Sequence, residues 1–431
     1  MTTSHAVATP EPRWSRRREW SADNVVGFMM KQAVDHPECI GLAAGLVDPG
    51  TLPLEATRQA TAALLTDDQM LRQALQYGTT EGAVHLRDLL LEYLADLEQV
   101  PVEKLGISRD QVVLSTGSQQ MLSLLCQAVL DPGDVCLIAD PTYYVMLSTV
   151  RGQGARAVSV SSDEEGMKLD SLEAQLKQLA ANGELDRVKM VYVVSDYDNP
   201  RSVSLSTGRR EQLVALVESF STKQRILVVE DAAYRELYYD GESRPSVWSF
   251  DRDRRTVALV QTFSKCFSPG LRVGFAVLPE HLVEAVLDLK GNEDFGSTSF
   301  SQHILASVLE QGLLAEHVVR LRSTYAAKRD VLLEAATDYL GDADGVSWHE
   351  PSGGLYVWLS LPEEVDAGLR GSLFARAVQD EQVMYVPGQL CYCGDGESRP
   401  GHQLRLSFGV ETPERLAEGM MRLARAIRAE L

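Results

Sequence analysis

Seven short β-branched runs lie between residues 110 and 280: VVLS near 113, VCLIAD near 137, ARAVSVS near 158, MVYVVSD near 192, ILVVED near 228, TVALVQT near 259 and RVGFAVL near 275. Several are separated by stretches of helical spacing. In 118-SQQMLSLLCQAVL-130 the apolar residues Met121, Leu124, Leu125, Ala128 and Val129 are spaced for one buried face. This alternation leaves few options, because parallel strands need crossovers and the crossover helices cover the sheet on both sides. The expected class is α/β, with about seven strands in a large, mainly parallel sheet. Past about residue 280 the texture changes to helical segments through 299–340, strand-like GGLYVWLSL and QLRLSFG, and a last helix over roughly 412–430. That pattern reads as a smaller α+β domain. A chain of 431 residues exceeds what one core usually supports. The expected division is 1–50 as an N-terminal arm and segment packing on the rest, 51–308 as the large domain, and 309–431 as the small C-terminal domain.

A formal net charge of −20 argues against nucleic acid as a partner, since phosphate backbones call for a basic face. No apolar run reaches the ~20 residues of a membrane span, and the polar start lacks an apolar signal core. A cytoplasmic location is therefore expected. Its RWSRRREW cluster at 13–20 reads as a solvated arm. Of the six cysteines only Cys391 and Cys393 are close in sequence, a spacing read as reduced thiols rather than a metal centre.

In open α/β sheets, ligands collect beyond the carboxyl ends of the strands. There the sequence offers Thr116-Gly117-Ser118-Gln119, then Tyr197-Asp198-Asn199-Pro200, then Asp231-Ala232-Ala233-Tyr234, then Thr262-Phe263-Ser264-Lys265. Each group alone has a plain explanation: a helix cap, a turn, a solvated acid, a surface lysine. Together they place an anion-binding turn, an amide, a carboxylate, a phenol and an amine on one edge. A ligand that meets all of them carries a phosphate, a basic aromatic nitrogen, a phenolic oxygen and an aldehyde, which describes pyridoxal 5′-phosphate. Lys265 would condense with the aldehyde, and Asp231 would keep the ring nitrogen protonated. Asn199 and Tyr234 would bond the phenolic oxygen. The helix opening at Gly117, Ser118 and Gln119 would hold the phosphate. A helix dipole contributes only ~0.3–1 kcal/mol, up to ~2 when partly buried. Thr262, Ser264 and Arg272 are accordingly read as further phosphate donors.

The chain resembles fold-type-I pyridoxal-phosphate enzymes of the class I aminotransferase group, in the 2-aminoadipate and kynurenine aminotransferase-like branch. The resemblance rests on 77-YGTTEGAVHLR-87, 116-TGSQQMLSLL-125, 140-DPTYY-144, 199-NP-200, 229-VEDAAYREL-237, 262-TFSKCFSPGLRVGF-275, 351-PSGGLYVWL-359, 386-VPG-388 and 404-LRLSFG-409. It implies that Tyr143 stacks on the cofactor ring and that Arg405 clamps the substrate α-carboxylate. Gly45 and Asn199 would line the substrate side. Tyr77 would reach the phosphate of a neighbouring subunit, so a homodimer with shared active sites is implied. The activity implied is transfer of an amino group between an L-amino acid and a 2-oxo acid by a ping-pong mechanism, with Lys265 as the catalytic lysine.

Three departures from the family pattern fall in pocket loops. The family's Asn-Pro-Thr-Gly reads 199-NPRS-202, its GGLPDP reads AGLVDP with Val47, and Cys391 stands where an aromatic is usual. Arg201 is open to two readings, a partner for an acidic substrate side chain or a solvent-facing residue. Arg201, Asp198 and segment 291–299 are expected to face the substrate side chain. Two rivals remain at this point: other pyridoxal-phosphate chemistry (lyase, decarboxylase or oxidase), and a regulator fused to a DNA-binding segment. About twenty residues ahead of the domain pattern are too few for the latter.

Overall fold

The seven runs are strands of one sheet, described in a computed structural model over residues 13–21, 25–394 and 399–431. After a two-residue strand β1 (Ile40–Gly41) come β2 (Val112–Ser115), β3 (Val135–Asp140), β4 (Arg156–Asp163), β5 (Gly166–Met167), β6 (Val188–Val194), β7 (Leu227–Asp231), β8 (Val257–Thr262) and β9 (Gly274–Val277). The large sheet has eight strands in the order β2-β9-β8-β7-β6-β3-β4-β5. The eighth, β5, is a two-residue return antiparallel to β4, too short to leave a periodic signal.

Strands β8, β7, β6, β3 and β4 run parallel, and β9 runs antiparallel to both β8 and β2. The carboxyl ends of β2, β6, β7 and β8 therefore share an edge with the amino end of β9. This reversal brings Arg272, just ahead of β9, to the turn that follows β2. Strands β2, β7, β8 and β9 are buried at every residue, as continuous apolar runs covered on both faces should be. The helix Ser118–Val129 buries Met121, Leu122, Leu124, Leu125 and Cys126. Its buried face thus turns further than the spacing suggested, and Ala128 and Val129 lie at its margin.

The helical stretch after residue 298 is two helices, Ser299–Glu310 and Leu313–Leu340, separated at Gly312, whose φ of 68° ends the first. The long second helix packs against the last helix, Pro413–Arg428. Beside them lies a four-stranded sheet of β10 (Ser347–Trp348), β11 (Tyr356–Ser360), β13 (Val386–Pro387) and β14 (Gln403–Ser407), ordered β10-β11-β14-β13 with every pair antiparallel. The N-terminal segment is sewn onto this region. β1 pairs in parallel with β12 (Val383–Met384), and Ser407 N–H donates to Leu42 O at 2.7 Å.

The arginine-rich arm is not wholly solvated. Arg16–Trp20 is a short helix capped by Ser15, and the Trp20 ring lies so close over Gly154 that a Cβ there would come within 2.7 Å. One aromatic ring docks the arm; its arginines stay exposed. Residues 1–12 fall outside the described residues. Among the described residues no helix is long and apolar enough to cross a membrane.

Gly274 opens β9 where the two edges meet. A Cβ there would sit 2.8 Å from Gln261 O, Gly117 C and Ser118 N, all of them backbone atoms that cannot rotate away. Gly274→Ala should cost about 1–3 kcal/mol in chemical denaturation through overpacking. It should also loosen the turn at Gly117. Unchanged stability would show that the two backbones can part.

Candidate active site

The expected residues converge. Gly45, Ser118, Gln119, Tyr143, Asn199, Asp231, Tyr234, Thr262, Ser264, Lys265, Arg272 and Arg405 all line one cavity of about 410 Å³. Gly117 lies directly behind it, with φ 76°; a Cβ there would meet Arg272 Nη2 at 2.7 Å. Tyr77 is the exception. It stands 87% exposed on another face of the chain.

Lys265 follows β8 and donates from Nζ to Gly45 O at 2.7 Å. Burial lowers its pKa; the nearby Tyr356 opposes this, while the Arg405 and Arg272 guanidinium groups assist. A buried amine of this kind is more readily the neutral nucleophile. Asp231 ends β7 and is buried; its Oδ2 accepts from Tyr192 Oη at 2.9 Å. Its Oδ1 is also buried and has no partner. Burial pushes this carboxyl up to about 6, against the hydrogen bond from Tyr192 and a backbone N–H at Ala233. An unpaired buried carboxylate oxygen is costly. A protonated ring nitrogen would satisfy it.

Arg405 sits on the central strand β14, opposite Trp358 and Val386. Its Nη1 donates to Asn199 Oδ1 at 2.9 Å and its Nη2 to Ala43 O at 2.6 Å. The guanidinium stacks 4.4 Å from the Tyr356 ring centre, and its buried Nε has no partner. A substrate carboxylate would satisfy that group. With its Oδ1 engaged, Asn199 presents its amide N–H groups as donors. Tyr234 Oη lies 3.0 Å from Tyr356 Oη, and either can donate.

At the other end, Thr262 Oγ1 donates to Ser264 Oγ at 2.9 Å, and Arg272 Nη1 reaches Ser264 Oγ at 3.5 Å. Arg272 Nη2 donates to Thr116 O at 3.1 Å. Hydroxyls, a guanidinium and residues at the start of a helix thus line the same cavity, a donor set of the kind that suits an anion.

Sequence reading missed Tyr192 and Tyr356. Tyr192 lies in the middle of β6, where a tyrosine reads as an ordinary core residue; its partnership with Asp231 appears only once β6 and β7 pair. Tyr356 stood within the quoted GGLYVWL, and its hydroxyl would lie 2.7 Å from a Cβ at Gly45. Arg201 does not face solvent. It is buried, pairs with Asp198 at 3.2 Å and donates to Asp163 O at 3.2 Å. Arg201, Asp198 and segment 291–299 are not among the cavity's lining residues. Ser202, at the place of the lost glycine, holds the left-handed conformation at φ 56°, and its Oγ accepts from Tyr356 N–H at 3.1 Å. Cys391 is buried, and its carbonyl accepts from Thr142 N–H at 2.8 Å.

A mostly parallel sheet whose strand ends bring a buried lysine and a buried carboxylate to one cavity is the arrangement of fold-type-I pyridoxal-phosphate transferases. More narrowly, the chain belongs to the family "Aminotransferase class I and II", whose model matches residues 37–423. It is 33% identical to aromatic-amino-acid aminotransferase 1 of Thermococcus litoralis, covering 92% of this chain and 90% of that protein. It is likewise 33% identical to 2-aminoadipate transaminase of Thermus thermophilus, over 92% of this chain and 91% of that protein. Among solved structures it superposes on Pyrococcus horikoshii kynurenine aminotransferase, crystallised with PMP, kynurenine and its product, with a TM-score of 0.85 and 31% identity. That match covers 98% of this chain and 96% of the other. The protein is a pyridoxal-phosphate-dependent aminotransferase of the 2-aminoadipate and kynurenine branch.

Asp231 sets a pH signature. Its folded pKa of about 6 lies above the ordinary 3.8, so the stability it contributes is full below about pH 4 and is lost as pH rises through 6. The difference corresponds to about 3 kcal/mol. In urea titrations of the cofactor-free protein, Asp231→Asn should gain stability relative to wild type by up to that amount between pH 4 and 7. A difference that stays constant with pH would contradict the buried, unpaired carboxyl.

Proposed function

We propose that Lys265 is the catalytic lysine and that Asp231, Asn199, Tyr234, Tyr143 and the cup of Gly117, Ser118, Gln119, Thr262, Ser264 and Arg272 hold the cofactor. In this reading Arg405 holds the substrate carboxylate, with Asn199 and Gly45 beside it. One observation carries it: a carboxylate oxygen of Asp231 and the guanidinium Nε of Arg405 are both buried without partners, and both belong to residues that line one cavity with Lys265. They suit one cationic and one anionic ligand group.

When bound, pyridoxal phosphate supplies an aldehyde for the substrate nitrogen and a ring that delocalises negative charge from the substrate Cα. The chain's own residues do the rest. Asp231 Oδ1 would accept from the cofactor's ring nitrogen and keep it protonated. Asn199 and Tyr234 would donate to its phenolic oxygen, and Tyr143 would lie against the ring. Arg405 fixes the substrate by its carboxylate, so that the Cα–H stands near Lys265. Lys265 Nζ, its pKa lowered by burial, accepts that proton and returns it as the general acid.

Tyr77 is exposed at 87%, with Leu75 at 71% and Phe295 at 75%. So much exposed apolar surface favours contact with a second copy. The proposed assembly is a cytoplasmic homodimer in which Tyr77 reaches the neighbour's phosphate. The proposed division of the chain remains 1–50, 51–308 and 309–431.

Mixing single amino acids with the loaded enzyme should convert the bound cofactor to its amine form, and a 2-oxo acid should reverse the change. Release of ammonia without conversion would instead indicate a lyase. Lys265→Ala should slow the half-reaction by about 10²–10⁴-fold or more; wild-type turnover would refute the assignment. Arg405→Lys loses the planar fork. It should lower kcat/KM about 10–150-fold, in line with charged hydrogen bonds of ~1.5–3 kcal/mol.

A further inference from the structure

The turn that leads into the helix Ser118–Val129 is held from behind. Gly117 N–H donates to Ser115 O at 2.9 Å, and Thr116 N–H donates to Gln120 Oε1 at 2.8 Å. The donors that the helix leaves without intrahelical acceptors are then those of its first residues, Ser118 and Gln119. A glutamine at the third helical position bonding back across the start of the helix is, taken alone, a variant of an ordinary capping contact. Here it is the first member of a chain.

Gln120 Nε2 donates to Asp294 Oδ2 at 2.9 Å and reaches Glu293 Oε1 at 3.5 Å. Asp294 in turn accepts from Lys290 Nζ at 2.9 Å on Oδ1 and 3.1 Å on Oδ2. The Lys290 side chain is fully buried. A capping contact needs neither a second carboxylate nor a buried ammonium. The far end is anchored as well: Asp294 Oδ1 accepts from Gly296 N–H at 3.0 Å, and Ser297 Oγ donates to Asp294 Oδ2 at 3.3 Å. Thr80 Oγ1 donates to Phe295 O at 3.2 Å. Gly296, with φ 151°, lies so near Thr79 O that a Cβ would come within 2.7 Å. The Gln120 amide is thus oriented on both sides, and its carbonyl has one direction left, toward Thr116.

We propose that Gln120, Asp294 and Lys290 form a positioning relay that fixes the Thr116–Gly117–Ser118 turn in its anion-binding shape, so that affinity for the cofactor's phosphate depends on residues that never touch it. The relay rests on the reading of Ser118 and Arg272 as phosphate donors. Asp294 orients the Gln120 amide, and Lys290 holds Asp294. The Gln120 carbonyl occupies the Thr116 N–H and keeps the turn from relaxing away from the cup.

The readout is phosphate-specific. Apoenzyme of wild type, Gln120→Leu, Asp294→Asn and Arg272→Ala would each be titrated with pyridoxal 5′-phosphate and with pyridoxal, which lacks the phosphate. Gln120→Leu and Asp294→Asn should weaken binding of the phosphorylated form about fivefold to tenfold, as loss of one oriented hydrogen bond predicts. Binding of pyridoxal should stay the same. Arg272→Ala should show the same selectivity by removing a direct donor. Equal weakening of both ligands by Gln120→Leu would mean general structural support and would overturn the relay. So would no weakening of either ligand while Arg272→Ala remains selective. If Arg272→Ala also fails to distinguish the two ligands, the phosphate site itself has been misplaced. Asp294→Asn leaves Lys290 buried without its ion pair, a change costly enough to prevent folding; Gln120→Leu removes only an amide and carries the test by itself.

Discussion

Several hydrogen bonds join the two sheets at the cavity, and one of them runs from Arg405 Nη1, on an inner strand of the small sheet, to Asn199 Oδ1, in the loop after β6 of the large one. The two residues are 206 positions apart. Much of the site's geometry follows from it. With Arg405 held by Asn199 and Ala43, its Nε is left without a partner; with Asn199 held by Arg405, its amide N–H groups are left to donate. The N-terminal segment closes the same arrangement. β1 is sewn to β12, and the chain then passes Ala43 and Gly45, whose carbonyls take Arg405 and Lys265. Three parts of the chain, distant in sequence, each complete a group that the others leave half-bonded.

The electrostatics of the cavity run against solvation on both sides. Burial raises the Asp231 carboxyl and lowers the Lys265 amine, so each is pushed toward its neutral form. Without a ligand this is strain. With a cationic ring nitrogen beside Asp231 and an aldehyde beside Lys265, the same burial becomes affinity and reactivity. Perturbed groups that cluster in one cavity, each with a chemical use, are the pattern expected of a catalytic centre.

The departures from the family pattern are absorbed by local structure rather than by new chemistry. Ser202 accepts a left-handed backbone that glycine would adopt more easily, at a penalty of roughly 1–2 kcal/mol for a residue with a Cβ. Its Oγ offsets part of this by accepting the Tyr356 N–H, which supports the strand carrying the tyrosine beside Gly45. Arg201 is buried against Asp198 and a backbone carbonyl, and the loop it braces carries Asn199.

Local chemistry was enough to reveal the strands and the residues that follow them. Periodicity marks β2, β3, β6, β7, β8 and β9 because a run covered on both faces must be largely apolar, and polar groups such as Asp231 and Lys265 stand out at their ends; β4, mostly unburied, is marked by its valines instead. The two-residue β5 carries no period and was invisible. Pairing was not legible either. Tyr192 looked like core until β6 lay beside β7, and Arg201 seemed free until the fold set Asp198 and Asp163 O against it. Nor could any local rule connect Gln120 with Lys290, which are 170 positions apart and meet only where two helices pack. Composition and spacing act along the chain, so they reveal which groups are present and on which edge. Which polar atoms are satisfied, and which are left open for a ligand, depends on contacts between distant segments, and only the folded arrangement decides it.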